Sequence, residues 1–114
     1  MPNQNHSVEQ TFVALSDPTR LAVIQALSQG SAAVSQLAKP FDMALPSFTQ
    51  HLGVLESAGL IVSRREGRSR ICSLNPSTLK EAEEWIASYR VQWERRMDRF
   101  EAHLEKMKIG KSDD

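Results

Sequence analysis

The chain has 114 residues, 14 Lys plus Arg against 14 Asp plus Glu, 40% hydrophobic and 25% charged residues. These values describe one ordinary globular domain and exclude a disordered or uniformly basic chain. A single cysteine, Cys72, excludes an internal disulfide framework, and no apolar run approaches the ~18 residues of a membrane span.

The start, MPNQNHS, is polar and carries no apolar run behind a basic one, so no secretory signal is expected. The expected protein is cytoplasmic, with a flexible N-terminus over residues 1–6, one folded domain over 7–109 and a flexible tail over 110–114. Its charge is unevenly placed. Between Leu60 and Ser77, Arg64, Arg65, Arg68 and Arg70 face only Glu66, whereas seven basic and seven acidic residues cancel between Thr78 and Ile109.

In chain order, Val8, Phe12 and Leu15 recur at helical spacing and predict a first helix over 7–16. Asp17-Pro18 reads as an N-cap with proline at the first helical position, opening a helix through Leu21, Ile24 and Leu27 that Gly30 ends. A short helix follows, with Val34, Leu37 and Ala38 inward and Pro40 as its stop. Leu45, Phe48, Leu52 and Leu55 then form one apolar stripe of a helix running to Ala58, with Pro46 tolerated in its first turn. Gly59 supplies a left-handed cap, and Leu60 packs back behind it.

The period next changes to alternation. Ile61–Arg65 and Arg70–Leu74 flank Glu66-Gly67-Arg68-Ser69 and predict a β-hairpin with glycine in its turn. Thr78-Leu79-Lys80-Glu81 matches a capping box, with Asn75 before Pro76 as a rival cap, and opens a long helix to Lys108 that Gly110 releases. The expected fold is mostly α with a small β-hairpin: a winged helix-turn-helix followed by a long C-terminal dimerisation helix.

Two short helices, a tight turn and an arginine-tipped hairpin suit double-stranded DNA. The major groove admits one helix, and base edges are read by side chains that hydrogen-bond. Opposite the apolar stripe of the helix over 45–58 lie Ser47, Gln50, His51 and Val54, with Thr49 flanking. Gln50 can bond adenine bidentately, Ser47 and His51 can reach base edges or phosphates, and Val54 can touch a thymine methyl. No formally charged residue lies between Met43 and Leu55. The attraction is assigned to Arg64, Arg65, Arg68 and Arg70, a wing over 64–70; three arginines on phosphates in each of two wings give a salt slope of roughly −5. The bland reading of that cluster is a solvated basic loop.

Phe12-Val13-Ala14-Leu15-Ser16-Asp17-Pro18-Thr19-Arg20 resembles the opening signature of the ArsR family of small winged-helix repressors. Val34-Ser35-Gln36-Leu37-Ala38 and the run from Pro46 to Leu60 are similar to that family's helix-turn-helix, and Arg64-Arg65-Glu66-Gly67-Arg68 resembles its wing. The stretch Trp85 to Leu104 looks like a subgroup associated with genes for START-like (SRPBCC) proteins. The resemblance spans residues 8–107 and implies a homodimeric repressor on a near-palindromic operator, released by an effector that the sequence does not name. The chain departs from the family's frequent pattern at Ala33 and Ala44, where Ser or Thr often precedes the two short helices, and at Gln50, where Arg or Lys is common.

Leu79, Ala82, Ile86, Tyr89, Trp93, Met97, Phe100, Leu104 and Met107 step through 28 residues in eight intervals, a mean of 3.5, the period of a coiled-coil seam. Such a helix is about 43 Å long, more than one small domain covers. Tyr89, Trp93, Met97, Phe100, Leu104 and Met107, with Phe12 from the first helix, are therefore assigned to a two-fold dimer interface.

Ser31–Ala38 holds no Cys, His, Asp or Glu, and the last helix offers Asp98 with a lone His103, so no metal site is expected. No cofactor is expected, and no catalytic group is recognised: His51 lacks a nucleophile or carboxylate at motif spacing, and His6 lies in the expected flexible start. Two alternatives remain open in the sequence. One is a winged-helix module for protein contacts. The other is a redox-sensing repressor using Cys72, against the plainer reading of Cys72 as a small buried hydrophobe.

Overall fold

The computed structural model describes residues 7–112, with side chains through residue 108. Within them, α1 (Val8–Leu15), α2 (Pro18–Leu27), β1 (Ala32–Ala33), α3 (Val34–Ala38), α4 (Leu45–Ser57), β2 (Ile61–Glu66), β3 (Ser69–Leu74) and α5 (Pro76–Ser112) follow in order. The chain divides into two units, Met1–Ala82 and Glu83–Asp114, with the boundary inside α5. The expected flexible start at 1–6 lies outside the described residues. The expected helix end near Lys108 does not hold, because α5 continues through Gly110 to Ser112. Glycine inside a helix costs only about 1 kcal/mol and does not by itself end one.

Local chemistry accounts for the helix ends. Ser7 Oγ accepts from the Gln10 N–H at 3.0 Å while Gln10 Oε1 accepts from the Ser7 N–H at 3.3 Å, a reciprocal capping box that starts α1. Asp17 Oδ2 accepts from the N–H groups of Thr19 (2.8 Å) and Arg20 (3.1 Å) to start α2, with Pro18 at the first position. Ala33 and Ala44 open α3 and α4 without any side-chain cap, although Gln36 Oε1 accepts from the Ala33 N–H at 3.2 Å. At the far end of α4, Gly59 has φ +79°, the Gly59 N–H reaches the Glu56 carbonyl and the Leu60 N–H reaches the Leu55 carbonyl, both at 3.0 Å. That pair of bonds is a complete Schellman motif, as the sequence predicts.

β2 and β3 pair from Ile61↔Leu74 to Glu66↔Ser69, leaving Gly67 and Arg68 as a two-residue turn. Positive φ at Gly67 alone fits a type II′ turn. β1 adds a third strand, with Ala32 opposite Cys72 and Ala33 opposite Ile71, so the sheet order is β1-β3-β2. Two alanines carry no strand signal; the pairing comes from the free edge of β3.

The core gathers Ala14, Val23, Leu27, Leu37, Phe48, Leu52, Leu55, Ala58, Leu60, Ile61 and Cys72. Helical spacing of apolar residues does not by itself give the buried faces. On α1, Thr11 and Ala14 are buried while Phe12 is 38% exposed, because small side chains let α1 lie close against α2 and α4. On α2, Val23 and Leu27 are buried and Leu21 is exposed; this helix is apolar on several sides, so spacing alone did not choose the face. On α4, Leu45 is 57% exposed at the first turn, ahead of Phe48, where the core begins.

Asn75, not Thr78, precedes the last helix. Thr78 is buried inside the first turn, where its hydroxyl donates to the Gly59 carbonyl at 2.6 Å, and Asn75 Nδ2 donates to the same oxygen at 2.9 Å. The end of α4 and the start of α5 thus share one acceptor. No helix among the described residues is long and apolar enough to cross a membrane.

Ala44 has the extended backbone of an N-cap (φ −65°, ψ 146°) but no acceptor to offer. With Pro46 lacking an N–H, a serine there would accept from the Ser47 N–H. Ala44→Ser is expected to stabilise the fold by about 1 kcal/mol. Thermal unfolding checks this, and an unchanged Tm would refute it.

Candidate nucleic-acid interface

A helix turns 100° per residue, so the buried trio Phe48, Leu52 and Leu55 fixes the opposite face of α4 as Pro46, Thr49, Gln50, Gly53 and Ser57, all exposed. Ser47 and Val54 are also exposed and border this face on the side of α1 and α2. Thr49 spends its hydroxyl proton on the Leu45 carbonyl at 2.9 Å and turns its remaining surface outward. Gln50 and Val54 line an open groove against Glu9 and Val13 of α1.

His51 is placed differently from the sequence expectation. It is half-buried and turned toward α2, with Nδ1 3.1 Å from Arg20 Nη1 and 3.7 Å from Asp17 Oδ2. Arg20 donates only, so His51 Nδ1 is the acceptor in that bond. The same guanidinium donates to the Ala14 carbonyl at 2.7 Å and the Val13 carbonyl at 3.3 Å. One side chain therefore ties the end of α1, the start of α2 and the middle of α4. His51 is a structural anchor in this arrangement. The signal was present in the sequence, in Arg20 and Asp17, but only the fold shows that they meet His51.

The hairpin divides its four arginines. Strand alternation puts Arg65 and Arg70 on the sheet face that carries Ile61 and Cys72, toward α4, and Arg64 on the other face. Arg70 Nη2 donates to Glu56 Oε1 at 2.7 Å and its Nε to Ser63 Oγ at 3.1 Å, while Ser63 Oγ donates to Glu56 Oε2 at 3.2 Å. The wing is thereby fastened to α4. Arg64 Nε donates to Glu66 Oε2 at 2.9 Å, on the face away from α4. Among the described residues, Arg65 and Arg68 make no hydrogen bond or ion pair; Arg68 and Arg70 line a groove with Ser35 of α3 and Leu45 of α4. The wing thus meets the first residue of α4 across this groove.

Cys72 is buried, and burial pushes its thiol above the ordinary range, with Arg70 pulling it down and Glu56 pushing it further up. A protonated, enclosed thiol is a poor nucleophile, so it fits the packing reading.

A helix-turn-helix domain family model matches residues 15–64, from the end of α1 into β2. The transcriptional repressor SdpR of Bacillus subtilis is 30% identical over 82 residues, covering 72% of this chain and 91% of that protein. The HTH-type transcriptional regulator Rv2034 of Mycobacterium tuberculosis is 37% identical over 73 residues, 64% of this chain and 68% of that one. Among solved structures, an ArsR family transcriptional regulator, RHA00566, aligns with TM-score 0.74 and 47% identity over 76% of this chain and 96% of its own. The chain belongs to the ArsR family. It is a winged helix-turn-helix protein of a class of DNA-binding transcriptional regulators.

In this ArsR protein, the Asp17-Pro18-Thr19-Arg20 segment is a junction rather than a contact surface. The Arg20 N–H donated to Asp17 holds the carboxyl below its usual range, helped by the charge of His51, the Thr19 N–H and the charge of Arg20, against a smaller opposing push from burial. A depressed folded-state value means that this stabilisation is complete above the unfolded carboxyl value of about 3.9 and is lost as pH falls through the folded one. Asp17→Asn keeps an accepting oxygen for the cap but removes the titration. Below about pH 4, the Tm of the native chain is expected to fall more steeply than that of Asp17→Asn; equal acid limbs would contradict the assignment.

Proposed function

We propose that the protein is a homodimeric repressor that seats α4 in the major groove of a near-palindromic operator and lays its wing along the neighbouring backbone. The observation that carries this reading is the fastening of the arginine wing to α4 through Glu56 and Arg70, with the opposite strip of α4 left exposed. α4 offers Ser47, Thr49 and Gln50 without formal charge, and Gln50 has the reach and the paired donor and acceptor to read adenine. His51 supports α4 from its flank on the side of α2 and is not assigned to a base.

The wing's electrostatics are weaker than four arginines imply. Arg64 and Arg70 carry partners, so Arg65 and Arg68 are the principal phosphate contacts. Two wings then release about four counterions, for a slope of log affinity against log salt of about −4 rather than −5. Arg68→Ala is expected to weaken binding to every duplex and flatten that slope, whereas Gln50→Ala relaxes preference at one base position by about 1–3 kcal/mol. Affinities on duplexes selected from a random pool, measured over a salt series, check both. A flat slope in the native chain would refute duplex binding through the wing and favour a protein partner.

The dimer reading rests on α5. Tyr89, Trp93, Met97, Phe100, Leu104 and Met107 are all exposed in the single chain, Trp93 by 61% and Phe100 by 57%. Each large apolar side chain that a partner covers contributes about 1.5–3 kcal/mol. Phe12, exposed on α1, is assigned to contact with the partner as well. A two-fold dimer spaces two recognition helices about 34 Å apart, one helical turn of DNA. Sedimentation at micromolar concentration is expected to give a dimer, and Trp93→Glu a monomer; a monomeric native chain would defeat the proposal.

A further inference from the structure

Gly53 stands in the interior of the 13-residue helix α4, eight residues after its first and four before its last. Glycine in that setting opposes helix formation, since it restricts the unfolded chain least. Three reasons for a glycine lie within a chain, and each is absent here. The backbone is not in the left-handed region, which is occupied by Gly30, Gly59 and Gly67. The position is not a cap, because Ala58 and Gly59 close the helix. No neighbour presses on it either: a Cβ built at Gly53 meets nothing within 4 Å among the described residues. Close approach of a neighbouring helix is therefore not the reason for the glycine.

What remains is a body outside the chain. Gly53 lies three residues after Gln50 and four after Thr49, so it shares their surface strip on the outward face of α4. That strip has no formal charge; Gly53 lines a groove with Gln50, Val54 and, from α1, Glu9 and Val13, while Arg68 of the wing lines a second groove at the first residue of α4. The class of DNA-binding regulators to which the chain belongs makes a duplex the body to expect against it.

We infer that duplex DNA makes van der Waals contact with the α4 backbone at Gly53, and that the missing side chain sets how deeply the helix seats beside Gln50. This rests on the DNA-binding reading of α4. It makes Gly53 a position where stability yields to contact: a side chain there strengthens the helix and holds the duplex away.

The test uses the full chain and duplexes recovered from a random-sequence pool by the native protein. Gly53→Ala is expected to raise the Tm by a few degrees and to weaken binding to all recovered duplexes by about tenfold. Gly53→Leu is expected to weaken it further, with the helix still intact. Opposite signs in the two measurements separate this from simple misfolding. If the native protein recovers no duplex, the DNA-binding reading itself fails. If it binds and Gly53→Ala binds equally well, the inference is overturned and another partner, such as a protein, occupies that strip. A lowered Tm for Gly53→Ala would also overturn it, by showing that the fold requires the glycine.

Discussion

The guanidinium of Arg20 is the constraint on which the placement of α4 depends. It donates to the last carbonyls of α1, at Ala14 and at Val13, the latter also accepting from Ser16, and it presents a further N–H to His51. Asp17, which caps the helix carrying Arg20, lies beside the same histidine, its Oδ2 3.7 Å from Nδ1. A recognition helix must hold its exposed side chains at a fixed rotation, because base edges are read at hydrogen-bond distance. Here the rotation is set from the rear by Phe48, Leu52 and Leu55 in the core and from one flank by His51. On the other flank, Glu56 takes Arg70 and Ser63 from the sheet. α4 is held on both sides by charge-assisted contacts while its outward strip stays uncommitted.

The same contacts explain how a chain with zero formal charge addresses a polyanion. Glu56 and Glu66 engage two of the four wing arginines, one bond orienting the wing on α4 and the other shielding the outer face of the sheet. Both pairs are exposed, where ion pairs contribute little to stability, so their value lies in position. What is left is a small, directed field at Arg65 and the turn residue Arg68. In the proposed complex, attraction of that size favours association without gripping every duplex equally, and leaves discrimination to the uncharged α4 strip.

Much of this fold was legible because its signals are local. Asp17-Pro18, the steps of four and three through Phe48, Leu52 and Leu55, and Gly59 followed by Leu60 each act within one or two turns, and the structure agrees with all of them. The failures came where tertiary partners choose. Thr11 and Ala14 are inward on α1 because a close helix approach favours small side chains over Phe12. β1 exists only because β3 has an edge to offer. Thr78 matched a capping pattern but faces inward, since the Gly59 carbonyl at the end of α4 needed a donor. For the candidate site, residue types were readable and pairings were not: nothing in the spacing showed that His51 would turn to Arg20, or that Glu56 would claim Arg70.

The second unit raises a different question of stability. From Glu83 onward, α5 carries its large apolar residues exposed, with the Trp85–Tyr89 ring pair at 4.8 Å and the Arg90–Glu94 ion pair as its visible internal support. An i,i+4 ion pair contributes only a few tenths of a kcal/mol, and an isolated helix in water gains most of its stability from an apolar face that is covered. A seam with a 3.5-residue period offers its cover most economically to a copy of itself, because a two-fold axis sets identical residues against one another along its whole length. In the proposed dimer, the order of this helix and the pairing of two chains are a single equilibrium. The proposed spacing of two α4 helices is then specified only once the seam is closed, so that reading an operator and assembling the dimer become linked events.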